Sequence, residues 1–305
     1  MGDLICTQPL IKCLQNTYPD AEISLFIESG NAALAKYLCP DININILPKG
    51  NKYLSVARTA LKFRKENFDI AISAKPTAMK LNNLFLWLLG AKKRYAVVAG
   101  KNWHSQLINC PMSQEKVKGY HQALKVLRVF SPDMQFLSPD LLPSITLNEE
   151  SKLIYSGSPL ILFSVSNNRK SSLISNEYLA LIAAGISEKY ADAKFIISTL
   201  PNDIDLAKDL NLRIGDNSQI VISDSLDSFL ALLNEMTLIV VGDGGICHLS
   251  AALKKKLVAL YGVIKPENWS PLASEDQCIT FFDPENVNNI DLTKVKNAIF
   301  SLLGK

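Results

Sequence analysis

Short apolar runs separated by longer amphipathic stretches constrain this chain more than any other feature. The runs are EISLFI (22–27), DIAISA (69–74), LILFSVS (160–166), KFIIST (194–199), TLIVV (237–241) and LVALYG (257–262). Each has the length of a strand and is apolar on both faces. Between them, PLIKCLQNTY, YLSVARTALKFRKEN, NNLFLWLLG, YHQALKVLRVF, EYLALIAAGISEKY, DIDLAKDL and SFLALLNEM repeat apolar residues at three- and four-residue spacing, the helical period. Such strands alternating with helices predict an α/β fold of parallel sheets covered on both faces. At 305 residues the chain is long enough for two such domains. The pattern pauses from Ser138 to Pro159, a stretch rich in Pro, Ser and Gly. Domains are therefore expected at 1–150 and 151–305, with a ligand in the cleft between them near the carboxyl ends of the strands.

Composition narrows the classes of partner. The formal net charge is +3, too small to argue for nucleic acid. The basic clusters KFRK (62–65), KKR (92–94) and KKK (254–256) read as solvated faces. The six cysteines form no CxxC pair, and no signal-peptide pattern is present, so a reducing cytoplasm is expected. The most apolar run, LFLWLLGA from Leu84, is far shorter than the roughly 20 residues of a spanning helix.

One corner carries chemistry. In VVGDGGICHLSAALKKKLVALYG (240–262) an apolar run ends at Gly-Asp-Gly-Gly and a helix-like segment begins at once. Glycines let backbone approach a ligand, and a helix start offers free N–H groups and partial positive charge, so phosphate is the natural guest. His248 falls in the first helical turn and can donate a hydrogen bond; Asp243 can accept one from a ribose or sugar hydroxyl. The bland alternative is a glycine turn with a capping aspartate and a surface histidine. Neither GxGxxG nor GxxxxGK[ST] occurs, so no dinucleotide fingerprint or P-loop is present.

The segment GDGGICHLSAALKKKLVALYGVIKPENWSPL (242–272) resembles the donor-binding signature of glycosyltransferase family 9, the lipopolysaccharide heptosyltransferases. The matching residues are Asp243, Gly244, Gly245, His248, LSAAL, LVALYG, Pro266, Trp269 and Pro271. GDLICTQPLIKCLQNTYPDAEISLFI at the start is similar to the family's opening segment. LKFRKENFDIAI, LLGAKKRYAV and SDSLDSFLALLNEMTLIVVGDGG match in character.

The resemblance implies a GT-B fold, two Rossmann-like doubly wound domains facing a cleft. It implies inverting, metal-independent transfer of a heptose or similar sugar from a nucleotide sugar, ADP-heptose, to the lipopolysaccharide inner core. The acceptor would bind the N-terminal domain and the donor the C-terminal one. No cofactor is implied beyond the donor substrate. The implied location is cytoplasmic, with any membrane contact peripheral, on the inner face, through basic and apolar surface of the N-terminal domain.

The roles it implies fall on particular residues. Asp3 matches the catalytic acid, as general base. Lys170 and Arg169, after LILFSVS, match a region that places a cation on the diphosphate. Ser166, Arg169, Asp243, Gly244, Gly245 and His248 are the implied donor-binding set. Trp269 reads as a loop anchor. In SAKPTAMKLNN (73–83), Lys75 and Lys80 could meet acidic groups of the acceptor or simply be solvated.

Departures from the family pattern are visible. The glycine after LILFSVS is missing, as is the Trp-Pro before the next helix, where RKSSLISNEY stands. Family members carry a strand before the Gly-Asp, whereas Met1 directly precedes Gly2-Asp3. The expectation is that the N-terminal domain lacks its first strand and that Met1 is an internal methionine of a longer protein. Two alternatives stand beside the transferase. One is a degenerate GT-B protein that binds nucleotide or a partner without transfer. The other is a nucleotide-sugar epimerase. Asp203-Ile-Asp205 is formally a DxD, but it sits at a helix start and reads as an N-cap. The three histidines lack metal-ligand spacing.

Overall fold

Five strands follow one another in the first half of the chain: β1 (Ser24–Glu28), β2 (Asn43–Leu47), β3 (Ile70–Ile72), β4 (Lys93–Val98) and β5 (Cys110–Ser113). The computed structural model describes residues 1–147 and 158–304. These strands form two separate parallel sheets, β1-β2 and β3-β4-β5. In the second half, β6 (Leu160–Ser164), β7 (Lys194–Ser198), β8 (Ser218–Val221), β9 (Leu238–Gly242), β10 (Lys256–Gly262) and β11 (Cys278–Asp283) form one parallel sheet of six, in the order β11-β10-β9-β6-β7-β8. Contacts divide the chain into two units, Asp3–Pro143 and Ser144–Lys305. The expected boundary at 150/151, and residues 148–157 of the expected linker, lie outside the described residues.

The six apolar runs become β1, β3, β6, β7, β9 and β10 within one or two residues at most ends. Every residue of β6 and β9 is buried, as strands covered on both faces should be. The strands that periodicity does not reveal are β2, β4, β5, β8 and β11. Of these, β2, β5, β8 and β11 are sheet edges. NINIL in β2 alternates asparagine with aliphatics, and β5 carries Pro111, which an edge tolerates. In β4, Lys93 and Arg94 precede the apolar part.

Local chemistry sets the helix ends. Asn51 accepts hydrogen bonds from the N–H groups of Tyr53 and Leu54 and starts Lys52–Phe63. Ser175 caps Asn176–Lys189, and Ser225 with Ser228 forms a capping box on Leu226–Glu235. Gly90, at φ 77°, ends Lys80–Leu89 in the left-handed conformation. Asp203 stands at the N-cap position of Ile204–Ile214, but its side chain makes no capping bond, contrary to expectation.

In the C-terminal unit one continuous core joins β6, β7, β9 and β10 to helices Asn176–Lys189 and Leu292–Leu303, with Phe163 and Phe195 stacked at 5.5 Å. The N-terminal core is divided. Ala71 of β3 belongs to a cluster with Leu86 and Leu89, while Ile72 packs on a cluster of Leu10, Leu124 and Leu127. Successive strand residues point to opposite faces, so helices cover both sides of β3.

Candidate active site

In the C-terminal sheet the chain runs outward from β6 through β7 to β8, then returns to β9 beside β6 and runs the other way. The direction of winding reverses between β6 and β9. Loops leaving the carboxyl ends of two such strands diverge and open a crevice, the usual ligand site of a doubly wound sheet. Ser166–Lys170 leaves β6 here, and Gly242–Gly245 leaves β9. The chain order alone therefore brings most of the expected donor-binding residues to one place.

Their contacts are specific. Arg169 forms an ion pair with Asp243; the Asp243 side chain is 4% exposed and that of Arg169 53%. Burial holds the Asp243 carboxyl above the ordinary carboxylate range, and the guanidinium offsets this in part. Asn167 ties the two loops together. Its Nδ2 donates to the carbonyl oxygens of Asp243 (2.8 Å) and Ser172 (3.2 Å), and its Oδ1 accepts from the Arg169 N–H at 3.0 Å. Ser166 Oγ accepts from the Leu200 N–H at 2.9 Å and lies 3.3 Å from Thr199 Oγ1.

The glycines serve close approach. A Cβ on Gly242 would collide with the carbonyl oxygen of Ser172, and one on Gly262 with that of Ser171. The segment after β6 is thereby pressed onto the ends of β9 and β10. Gly244 is the N-cap residue of Gly245–Ala252 and gives it no side-chain cap, so the helix start is open to an anion. His248 lies in the first turn but is 4% exposed, not on the surface, with its ring edge-on to Trp269 at 6.3 Å. Trp269 sits in a short helix, Pro266–Trp269, whose Trp269 carbonyl accepts from the buried Tyr261 hydroxyl at 2.9 Å. Just after β10, Val263 takes φ 67°, and the Ile264 N–H bonds the Gly262 carbonyl at 2.7 Å. This is a γ-turn of the rare hand, and strain of that kind in a β-branched residue clusters at functional sites.

Lys170 opens a short turn, Lys170–Ser172, with its side chain exposed and in no ion pair among the described residues. It is not drawn into the Arg169–Asp243 pair. Asp3 belongs to the N-terminal unit, in the short helix Gly2–Ile5. Its carboxylate pairs with Lys75 at 2.7 Å, just beyond β3. Lys75, expected to face an acceptor or solvent, is thus the partner of the expected base. Sequence reasoning misses Asn167 and this role of Lys75. Asn-Asn after an apolar run signals a turn, but nothing local says which backbone it will clamp.

Other chemistry is poorly supported among the described residues. No group of three or more His, Cys, Asp or Glu could hold a metal ion. All six cysteines are free, and burial pushes the Cys6 and Cys278 thiols up to about 12, far from nucleophilic thiolates. No helix is long and apolar enough to cross a membrane.

The chain is similar to known proteins along most of its length. Over 295 residues the chain is 24% identical to a lipooligosaccharide heptosyltransferase 2 of Campylobacter jejuni, covering 93% of this chain and 84% of that one. Its fold matches the E. coli ADP-heptose LPS heptosyltransferase II with a TM-score of 0.77, at 18% identity, over 99% of this chain and 95% of that one. It also matches E. coli heptosyltransferase WaaC with ADP, at a TM-score of 0.71 and 16% identity, over 98% and 95%. The model of glycosyltransferase family 9 (heptosyltransferase) matches residues 56–298, so the chain belongs to that family and is a glycosyltransferase.

Proposed function

We propose that this chain transfers a heptose, or a closely similar sugar, from ADP-heptose to the inner core of lipopolysaccharide, with inversion and without a metal ion. The observation that carries this is the switch point of the C-terminal sheet. There the Arg169–Asp243 pair, the glycine corner and the open start of Gly245–Ala252 stand together in a family 9 chain. The names of its relatives support the donor: one is an ADP-heptose enzyme and another was solved with ADP.

In this reading the acceptor hydroxyl oxygen attacks the anomeric carbon, and the bond from that carbon to the diphosphate oxygen breaks on the opposite face. Asp3 takes the hydroxyl proton. ADP leaves with the bonding pair. Its growing negative charge meets Lys170, Arg169 and the N–H groups at Gly244 and Gly245. Ser166 and His248 complete the donor contacts. Asp243 holds Arg169 in place and accepts from a donor hydroxyl. Any membrane contact is peripheral.

Calorimetric titration with ADP, UDP, GDP and CMP tests the donor claim. ADP should bind best, and Asp243→Ala and His248→Ala should each weaken it roughly tenfold, about 1.4 kcal/mol. ADP release from ADP-heptose should require acceptor. A folded protein that binds none of these nucleotides would sink the proposal.

A further inference from the structure

Arg169 and Lys170 stand on a segment that lies across the carboxyl end of the C-terminal sheet. The segment leaves β6, and β11 is three strand positions away, about 14 Å at ordinary parallel spacing. Yet the loops after these two strands meet. The Ser172 carbonyl lies against Gly242 at the end of β9, and the Ser171 carbonyl against Gly262 at the end of β10. A Cβ on Gly262 would also lie 3.2 Å from the Val287 nitrogen, in the turn Val287–Asn289 that follows β11.

One side chain makes the join. Asn288 Nδ2 donates to the Leu173 carbonyl at 3.0 Å, and Asn288 Oδ1 accepts from the Ser175 N–H at 2.8 Å. The amide is itself oriented. Asn286 Oδ1 accepts from Asn288 Nδ2 at 2.8 Å and from the Asn288 N–H at 2.9 Å. Asp283, the last residue of β11, accepts from the Asn286 N–H at 2.9 Å. Val287, fully buried in the core with β10, anchors the turn. Residues 166–175 are thus held on both sides by asparagine, by Asn167 at the near end and Asn288 at the far end, with Arg169 and Lys170 between.

The two cations need this unequally. Arg169 has the Asp243 carboxylate to fix its guanidinium. Lys170 is exposed and in no ion pair among the described residues, so its backbone must place it. The Leu173 N–H donates to the Lys170 carbonyl at 3.2 Å and closes the turn, and Leu173 is the residue that Asn288 grips. We infer that Asn288 is a positioning residue for Lys170: by gripping Leu173 and Ser175 it holds the turn Lys170–Ser172 against the sheet and sets where the ammonium stands. The inference rests on the proposed transfer, in which Lys170 meets the charge that grows on the departing ADP. An interaction that strengthens toward the transition state shows in kcat rather than in KM.

A double-mutant cycle on Lys170 and Asn288 tests this, read as acceptor-dependent ADP release from ADP-heptose and as hydrogen exchange. Asn288→Ala should lower kcat roughly tenfold and move the donor KM less than about threefold. In a Lys170→Met background it should lower kcat less than about twofold, because the group it positions is gone. The Ser172 and Leu173 amides should exchange roughly tenfold faster in Asn288→Ala, while those of β6 keep their protection and mark a folded unit. Asn288→Asp keeps the shape of the side chain but puts an oxygen against the Leu173 carbonyl. It should lower kcat at least as far as Asn288→Ala, and it decides by the same criteria if the alanine unfolds the unit. Equal losses of kcat in both backgrounds overturn the inference and make Asn288 a general support of the fold. So does an unchanged kcat, or unchanged exchange at Ser172 and Leu173. A natural protein that releases no ADP overturns the proposed transfer itself, and this inference with it.

Discussion

The two units use the same pair of charges to opposite effect. Each pairs an acid with a cation that stands just after the carboxyl end of a strand, Arg169 after β6 and Lys75 after β3. In the C-terminal unit the cation, Arg169, follows the central strand β6 and the acid, Asp243, follows β9. In the N-terminal unit the acid, Asp3, opens the chain and the cation, Lys75, follows β3. The surroundings differ more than the residues do. Asp243 sits on a complete sheet, 4% exposed, clamped by Asn167 and pressed by glycine contacts. Asp3 sits at the mouth of a divided sheet, 59% exposed. The same pair of charges is a rigid fixture in one unit and an accessible, solvent-screened contact in the other. A tightly built corner suits holding a diphosphate, and an accessible carboxylate suits collecting a proton.

The strongest way to break this contrast is to spoil the packing of the rigid corner. Gly242→Ala places a methyl group against the Ser172 carbonyl, which is backbone and cannot rotate away. The expected cost is about 3 kcal/mol of stability in the C-terminal unit, at the upper end for overpacking, together with loss of ADP binding. Gly30→Ala is the control. Its Cβ would meet nothing within 4 Å, so a change within about 0.5 kcal/mol is expected. Urea titration of both variants decides. A Gly242→Ala protein as stable as the Gly30→Ala one would show that the corner is not tightly built.

That corner was also the most legible part of the sequence. Gly-Asp-Gly-Gly after TLIVV fixes a strand end, a close approach and a helix start within a few residues, and all three are found at Gly242–Gly245. The buried central strands were legible for the same reason: strands covered on both faces read as unbroken apolar runs. Edge strands such as β2 and β8 were not, because their mixed residues match a turn or a helix face as well as a strand. The helices Ala32–Leu38 and Leu292–Leu303 lie outside the periodic stretches, although the second is amphipathic and capped by Asp291. The charge pairs were hidden altogether. Lys75 is 72 residues from Asp3, and Arg169 is 74 from Asp243. Only the tertiary fold joins them, and periodicity within a window carries no tertiary contact.

A smaller effect sharpens the comparison through pH. The folded state holds the Asp243 proton more tightly than the unfolded chain, because burial raises this carboxyl above its ordinary 3.8 despite Arg169. The stability this proton contributes is full below the ordinary value and is lost as pH rises through the raised folded value. Asparagine carries no charge to bury, and Arg169, half exposed, stays solvated without its partner. Asp243→Asn should therefore gain on the natural protein between pH 4 and 7, by on the order of 1 kcal/mol. Denaturation at both pH values reads this directly. If the variant falls further behind as pH rises, the ion pair outweighs burial and Asp243 is a stabilising anchor.

The smallest stability effect belongs to the accessible pair and separates structure from chemistry. Lys75 and Asp3 are 41% and 59% exposed, so solvent screens their attraction and their contribution to folding is slight. Lys75→Met should move stability by no more than about 0.5 kcal/mol. If Asp3 is the base of the proposed transfer, the lysine nonetheless matters, because it holds the carboxylate at one place on the rim of the divided sheet. A second tether acts on the backbone alone: the Thr7 hydroxyl donates to the Asp3 carbonyl at 2.8 Å. Lys75→Met should therefore lower kcat roughly tenfold, while ADP affinity in the other unit stays as it was. Lys75→Arg should recover part of the rate, since a guanidinium can reach the same carboxylate. An unchanged kcat in Lys75→Met would mean that the pair is only a surface contact. A fall in ADP affinity would mean that the two charge pairs are coupled and that the separation of roles between the units is wrong.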